Sequence, residues 1–165
     1  DGIKIIPISH GGGHERKIRS GTENVSGIVG FAKATESIKK KDIEKMTYLR
    51  DKLIDNILKI SNTRLNGSRQ NRLCNNVNVS FNNIEGESIG GYLENYGICT
   101  STGSACASHS LEISHVLRAI SLTPLEANSS IRLSISKYTT EEEVDYFLEI
   151  LPKIVEKLRR LSPLI

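Results

Sequence analysis

The chain has 165 residues, of which 38% are hydrophobic and 25% charged, a composition typical of a soluble globular protein with about one domain. Its net charge of +3 is too small to indicate a nucleic-acid-binding protein, and no apolar run approaches the roughly 18 residues of a membrane-spanning helix. Three cysteines without a close pair argue against a disulfide framework and favour a reducing compartment such as the cytoplasm.

The first predicted elements are a short strand, a glycine-rich loop and a long helical region. The β-branched run at residues 3–9 predicts a strand, and the glycines and charges at residues 10–24 predict a structured loop. From about Val25 to Ile60, apolar residues recur at steps of three and four, which is typical of helices. The run KKKD at residues 39–42 indicates either an exposed bend between two helices or a solvated helix face.

The second half of the chain alternates short strands with helices, which predicts an α/β or α+β sandwich. We place the domain boundary between residues 61 and 62, directly before a polar turn segment. The last helix is the clearest because Thr140 and Glu143 have capping-box spacing, and we expect Pro152 to kink it. The predicted elements are a strand at 75–81, a helix at 86–97, a brief strand running into a loop at 98–112, a helix at 113–121, a strand at 129–136 and a helix at 139–163.

The glycine-rich loop ends in basic and hydroxyl side chains just before the helical region. It matches neither a P-loop nor a dinucleotide-binding pattern. Arg19, Ser20 and Thr22 beside a helix N-terminus are nevertheless suited to binding a phosphate group. The alternative is that Thr22 only caps the helix, which is the usual role of threonine at that position.

Cys106 lies in the run CTSTGSACASHS, where small and polar neighbours indicate an exposed loop. A cysteine that is exposed and has thiolate character is a nucleophile, and an inert loop cysteine is the alternative. Cys99 follows an apolar isoleucine within a predicted strand, so we expect it to be buried. Cys74 lies at the start of another predicted strand, and we expect both cysteines to be structural. No CxxC pattern is present, and no intrinsic metal site is predicted.

Arg132 lies in the predicted strand SSIRLSIS, on the face that it shares with Ser130 and Ser134. The alternate apolar residues of that strand are expected to face the core. A guanidinium group is the side chain best suited to a bidentate grip on a carboxylate. An exposed strand arginine without a ligand is the commoner alternative.

Several of these segments together resemble one family. The chain is similar to the C-terminal part of NifS/IscS-type cysteine desulfurases, which are pyridoxal-phosphate (PLP) enzymes. The resemblance implies the aspartate-aminotransferase fold (fold type I). Residues 1–61 would form the end of the large PLP domain with its connecting helices, and residues 62–165 the small α+β sandwich domain. The matching runs are HGGGHERKIRSGTENVSGIVGFAKA, CTSTGSACASHSLEISHVLRAI and SSIRLSISKYTTEEEVDYFL.

The resemblance also implies a role for each candidate residue. Cys106 matches the catalytic cysteine, which takes sulfur from L-cysteine, leaves L-alanine and carries a persulfide; it is also the candidate for a shared iron–sulfur ligand. Arg132 matches the arginine that binds the substrate carboxylate. Thr22 matches the threonine that reaches the PLP phosphate of the neighbouring subunit. The implied protein is a homodimer that passes sulfur to an iron–sulfur scaffold or another thiol acceptor.

The family's PLP lysine lies in a Ser-x-His-Lys-x-x-Gly context, which no lysine of this chain has. Because the chain also starts with Asp1 rather than Met, we expect a fragment or processed product that is inactive alone. Two other functions stay open. One is a non-catalytic truncated relative that dimerises or docks sulfur acceptors, and the other is a carrier that receives a persulfide at Cys106 in trans.

Overall fold

The structure is a computed structural model that describes residues 2–102 and 113–161. The chain divides into two compact units, Asp1–Lys39 and Lys40–Ile165. The first unit contains a short 3-10 helix, Glu15–Lys17, and one α-helix, α1 (Val25–Glu36). No residue of α1 is buried, so local backbone and capping interactions hold this helix within its unit.

The strand predicted at residues 3–9 is wrong. Residues 2–39 contain no strand, and isoleucines such as Ile3 and Ile8 are 90% and 98% exposed. A strand needs a neighbour to accept and donate its backbone hydrogen bonds, and no described residue supplies one here. The β-branched residues therefore favour a strand, but no described residue of this unit supplies a second strand for it to pair with.

The second unit is an antiparallel sheet packed against helices. Its strand order is β1-β2-β4-β3, so the last strand in the chain lies between the second and the third. The elements of this unit are α2 (Lys40–Ile57), β1 (Thr63–Leu65), β2 (Asn76–Phe81), α3 (Gly86–Glu94), β3 (Ser101–Thr102), α4 (His115–Ala119), α5 (Pro124–Asn128), β4 (Ser130–Ser134) and α6 (Glu141–Leu161).

One face of this sheet carries the hydrophobic core. Val77, Val79 and Phe81 alternate along β2 and are at most 1% exposed. Ile131 and Leu133 of β4 are buried on the same side, and α2, α3 and α6 supply the facing apolar side chains. The predicted strands at 75–81 and 129–136 are thereby confirmed, because period-two alternation reflects this one-sided burial.

The last helix, α6, begins with the predicted capping box. The backbone N–H of Thr140 donates to Glu143 Oε2 at 2.8 Å, and the N–H of Glu143 donates to Thr140 Oγ1 at 3.2 Å. The helix continues through Pro152, which has no N–H to donate to the preceding turn. The kink at Pro152 stays a prediction.

Two elements of the second unit were not predicted, since each is short. β1 has only three residues in a segment that otherwise indicates turns. α5 has five, although its capping box of Thr123 and Glu126 with Pro124 between them was a readable signal. The compact units divide between Lys39 and Lys40, whereas the boundary at residues 61 and 62 concerns the domains of a whole protein and stays a prediction. No helix within the described ranges is both long and apolar enough to cross a membrane.

Candidate functional site

Arg132 lies in the middle of β4, on the sheet face opposite the core. It pairs with Asn78 of β2 on one side and with Ser101 of β3 on the other. Directly paired residues project from the same face, so these three residues form one polar row across three strands. Arg132 is exposed, and none of the ion pairs among the described residues involves it. Its guanidinium group is therefore available to an acidic ligand.

Asn66, which follows β1, continues this row beyond Asn78. Its backbone N–H donates to the carbonyl of Asn78 at 2.9 Å. Its side-chain Nδ2 donates to Asn78 Oδ1 at 2.7 Å and to Ser80 Oγ at 2.8 Å. Asn66 is only 3% exposed, so these bonds are made away from water and hold the amide of Asn78 in one orientation.

Two arginines brace the turn that carries Asn66. Arg72 donates to the carbonyl of Asn66. Arg50 is 8% exposed and donates in turn to the carbonyls of Arg72 and Leu73 at 3.3 and 3.2 Å. Burial, together with the nearby charge of Arg50, lowers the pKa of Arg72 from its usual value. The polar row is thus anchored at its β1 end by buried backbone contacts.

α5 packs against the same polar face of the sheet. The hydroxyl of Ser80 donates to the carbonyl of Glu126 at 2.7 Å, and the hydroxyl of Ser130 donates to the carbonyl of Ala127 at 2.7 Å. Ser130 was expected to share a face with Arg132. It is fully buried with its proton engaged, so it is not a ligand-binding group.

Glu126 ties α5 to the edge of the sheet. Its carboxylate accepts hydrogen bonds from the backbone N–H of Thr123 at 2.8 Å and from the Thr123 hydroxyl at 2.9 Å, and it pairs with Arg64 of β1. The Thr123 bonds, followed by the Arg64 contact, lower the pKa of Glu126. This carboxylate acts as a structural clamp.

Cys106 lies outside the described residues. The described chain stops at Thr102 of β3, which pairs with Ile131, the residue next to Arg132. A chain spans at most about 3.6 Å per residue, so four residue steps keep the Cα of Cys106 within about 14 Å of the Cα of Thr102. Covalent geometry alone therefore limits how far Cys106 lies from the strand that carries Arg132.

Thr22 lies in the first unit and is exposed. The capping role considered for it is wrong, because Asn24 caps α1 by accepting a hydrogen bond from the N–H of Gly27 at 3.1 Å. Directly before Thr22, Gly21 has a φ of +110°, a conformation that favours glycine. The hydroxyl of Ser20 donates to the carbonyl of Gly12 at 2.9 Å, which folds the glycine-rich loop onto itself.

The prediction for Cys99 is wrong, since this residue is exposed. β3 begins only at Ser101, so Cys99 precedes the paired part of the sheet that would have buried it. Cys74 is half-buried in a turn directly before β2. Among the described residues, no three histidine, cysteine or acidic side chains are grouped closely enough to hold a metal ion.

Sequence comparison relates the chain to known proteins over almost its whole length. The family model described as Aminotransferase class-V matches residues 8–147. A protein named cysteine desulfurase IscS 1, from Archaeoglobus fulgidus, is 49% identical over 99% of this chain and 44% of its own length. Another named cysteine desulfurase IscS, from Methanosarcina thermophila, is 53% identical over 99% of this chain and 41% of its own length.

Structural comparison points the same way. A solved structure titled NifS-like protein superposes with a TM-score of 0.77 at 38% identity, over 95% of this chain and 40% of that one. The NifS-like protein from Rickettsia africae gives a TM-score of 0.78 at 30% identity, over 93% of this chain and 41% of that one. The chain thus spans less than half the length of these relatives.

Proposed function

Because this chain belongs to the class-V aminotransferase family, we propose that it is a segment of a cysteine desulfurase. The family resemblance and the fold class expected from the sequence, the C-terminal part of a fold type I PLP enzyme, are both confirmed by these comparisons. In this proposal the whole protein removes sulfur from L-cysteine, releases L-alanine and holds the sulfur as a persulfide on Cys106.

The observation that carries the proposal is the pairing of β3 with β4. The sheet pairs Arg132, a candidate carboxylate ligand, with Ser101. Five residues after Ser101 comes Cys106, the candidate nucleophile. A substrate whose carboxylate is held by Arg132 would therefore present its other end within the range that the chain allows to Cys106.

Cys106 would act as the nucleophile. Its thiolate attacks the sulfur of the substrate, an S–S bond forms and the C–S bond of the substrate breaks. The electron pair of that C–S bond stays with carbon, which takes up a proton to become the methyl group of L-alanine. Arg132 orients the substrate through its carboxylate during this step.

The donors of the first unit fit the phosphate end of PLP. The hydroxyl of Thr22 has no hydrogen-bond partner among the described residues, and the guanidinium of Arg19 lies close by in sequence. Hydroxyl and guanidinium donors suit a phosphate monoester. Thr22 would hold the phosphate of PLP in the neighbouring subunit of a homodimer. When bound, PLP supplies the electron sink for breaking bonds at the amino acid.

No lysine of this chain has the family's PLP-lysine context, so the proposal assigns that lysine to another part of the whole protein. It follows that the 165-residue chain alone would not turn over L-cysteine. The persulfide on Cys106 would pass to a thiol acceptor such as an iron–sulfur scaffold protein, and a reducing cytoplasm would keep the thiolate available.

The test is release of L-alanine from L-cysteine by the full-length protein loaded with PLP. Cys106→Ser should lower the rate by at least about 1,000-fold, because it removes the nucleophile. Cys99→Ser, the matched control, should leave the rate within about 2-fold. Mass spectrometry of the wild type should show one added sulfur on the peptide that contains Cys106.

Three other results would contradict the proposal. A Cys106→Ser variant that releases L-alanine at the wild-type rate would remove Cys106 from the reaction. A persulfide acquired only from a donor protein, without release of L-alanine, would favour the sulfur carrier. If neither persulfide nor L-alanine forms while an acceptor protein still binds, the alternative of a non-catalytic relative that docks sulfur acceptors would be favoured.

A further inference from the structure

We propose that Asn78 is a second residue that binds the substrate carboxylate, by donating a hydrogen bond from Nδ2 beside the guanidinium of Arg132. The inference rests on the proposed function, in which Arg132 holds that carboxylate. It adds to the site a residue that has no charge and that lies on a different strand, β2.

The orientation of the Asn78 amide follows from the hydroxyl of Ser80. That hydroxyl has one proton, which it donates to the carbonyl of Glu126 at 2.7 Å. Its oxygen must therefore accept from Asn66, so the atom of Asn66 that lies 2.8 Å from it is Nδ2. A reversed Asn66 amide would place Oδ1 against a hydroxyl whose proton is already used.

The same Nδ2 of Asn66 lies 2.7 Å from the side chain of Asn78. Because Nδ2 is a donor, the facing atom of Asn78 is its acceptor, Oδ1. The amide of Asn78 therefore presents Nδ2 on the side away from Asn66. Asn66 lies on the β1 side of Asn78, and Arg132 is paired with Asn78 on the β4 side.

Nδ2 of Asn78 has two protons, and no acceptor among the described residues takes either of them, since the one side-chain hydrogen bond that Asn78 makes there uses its Oδ1. Asn78 is half-buried, so a ligand on the polar face has access to it. Neither Nδ2 nor the neighbouring guanidinium is able to accept a hydrogen bond. Two groups that only donate, carried by directly paired residues, are suited to an anion with two oxygens, and the charge-assisted bonds favour a carboxylate over an amide or an alcohol.

Ser101, the residue paired with Arg132 on its other side, does not offer the same chemistry. Its hydroxyl donates to the carbonyl of Thr102 at 3.1 Å, so its proton is engaged. Of the two residues that flank Arg132 in the sheet, Asn78 is therefore the one with a donor to spare.

The experiment measures ligand binding to the full-length protein loaded with PLP, by calorimetry. L-Alanine, the proposed product, carries the carboxylate, and L-alaninamide lacks it. The variant is Asn78→Asp, which keeps Oδ1 as the acceptor for Asn66 but replaces the Nδ2 donor with an acceptor. The matched control is Asn76→Asp, the same change on the same face of β2, at the position paired with Ser134.

Asn78→Asp should raise the Kd of L-alanine by about 10-fold to 100-fold, the range for a lost hydrogen bond to a charged group. It should leave the Kd of L-alaninamide within about 2-fold, which also shows that the site is still folded. Asn76→Asp should leave the Kd values of L-alanine and L-alaninamide within about 2-fold of those of the wild type. If Asn78→Asp fails to fold, Asn78→Ala should give the same selective loss of about 10-fold.

Arg132→Ala in the same assay separates the two proposals. One outcome is that Arg132→Ala raises the Kd of L-alanine while folded Asn78 variants bind L-alanine as tightly as the wild type does. The role of Asn78 is then overturned and the proposed function stands. If Arg132→Ala leaves the Kd of L-alanine unchanged, the carboxylate site of the proposed function is itself overturned. Equal weakening of L-alanine and L-alaninamide by Asn78→Asp would also overturn the role of Asn78, since the loss would not depend on the carboxylate.

Discussion

The two compact units use apolar residues in opposite ways. In the second unit, β2 and α6 place theirs in one core, where Phe81 is 0% exposed. In the first unit, α1 carries apolar side chains of the same kind, yet Phe31 is 77% exposed and no residue of the helix is buried. The second unit is held by packing, whereas α1 depends on capping and local hydrogen bonds.

This difference distinguishes two sources of helix stability, tertiary packing and local interactions, which the sequence pattern alone does not separate. The α1 pattern of apolar residues predicts a helix correctly, but it does not say what that helix packs against. A patch of exposed apolar side chains on a helix is the usual mark of a surface that another surface covers. Matched substitutions in the two units therefore measure how much tertiary packing and local interactions each contribute to stability.

The largest contrast is expected between two phenylalanines. Phe81→Ala should lower the free energy of unfolding of the 165-residue chain by about 3–5 kcal/mol, because it leaves a cavity in the core. Phe31→Ala should change it by no more than about 0.5 kcal/mol, since the side chain is exposed. Denaturant unfolding measures the free energy of unfolding of both variants. A loss in Phe31→Ala as large as that in Phe81→Ala would contradict the proposed difference between the two units.

Two glycines in α3 test how closely this helix packs in the second unit. A Cβ at Gly86 would lie 2.3 Å from the backbone oxygen of Ser130, whereas a Cβ at Gly91 would meet nothing within 4 Å. Gly86→Ala should therefore cost about 1–3 kcal/mol of unfolding free energy through overpacking. Gly91→Ala should stabilise by roughly 0.5–1 kcal/mol through helix propensity. Equal unfolding midpoints for the two variants would refute this close approach.

A third pair tests the local origin of α1. Asn24→Ala should lower the local stability of the helix by about 1 kcal/mol, because it removes the side-chain acceptor for the N–H of Gly27. Thr22→Ala should leave the helix unchanged. Hydrogen exchange at the first amides of α1 reports this directly, and faster exchange in Thr22→Ala than in Asn24→Ala would return the capping role to Thr22.

The smallest effect is expected at Glu126, on the polar face of the second unit. Its folded-state pKa is lowered by the Thr123 hydrogen bonds, so its stabilising contribution is present above the ordinary pKa of glutamate and is lost as the pH falls through the lowered value. Glu126→Gln should therefore unfold with a weaker dependence on pH on the acid side. Identical acid titrations of the unfolding midpoint in wild type and variant would contradict this.

Much of the second unit could be predicted from the sequence, because burial there has a regular period. Alternation along β2 and β4 placed the apolar residues on the core face and Arg132 on the other face. The same reasoning failed at residues 3–9, because alternation carries no information about whether a partner strand exists. Capping spacing identified the start of α6 at Thr140 correctly.

The finer parts of the candidate site depend on contacts that no local pattern encodes. Thr22 and Asn24 both precede α1, and only the hydrogen bond from the N–H of Gly27 to the Asn24 side chain shows that Asn24 is the cap. The pairing of Asn66 with Asn78 depends on the register between β1 and β2, and β1 was too short to predict. The roles of Cys106, Arg132 and Thr22 in catalysis and binding stay predictions.

The strand order has a consequence for the order of folding. Of the strands that the structure describes, β4 is the last to be synthesised, yet it lies between β2 and β3 and pairs with both. Pairings between segments far apart in the chain form slowly, because a long loop must close first. We therefore expect the row from Asn78 through Arg132 to Ser101 to be assembled late, after the ribosome has released the whole of β4. Synthesis of β4, rather than of the strands on either side of it, thus sets the moment at which this polar row is complete.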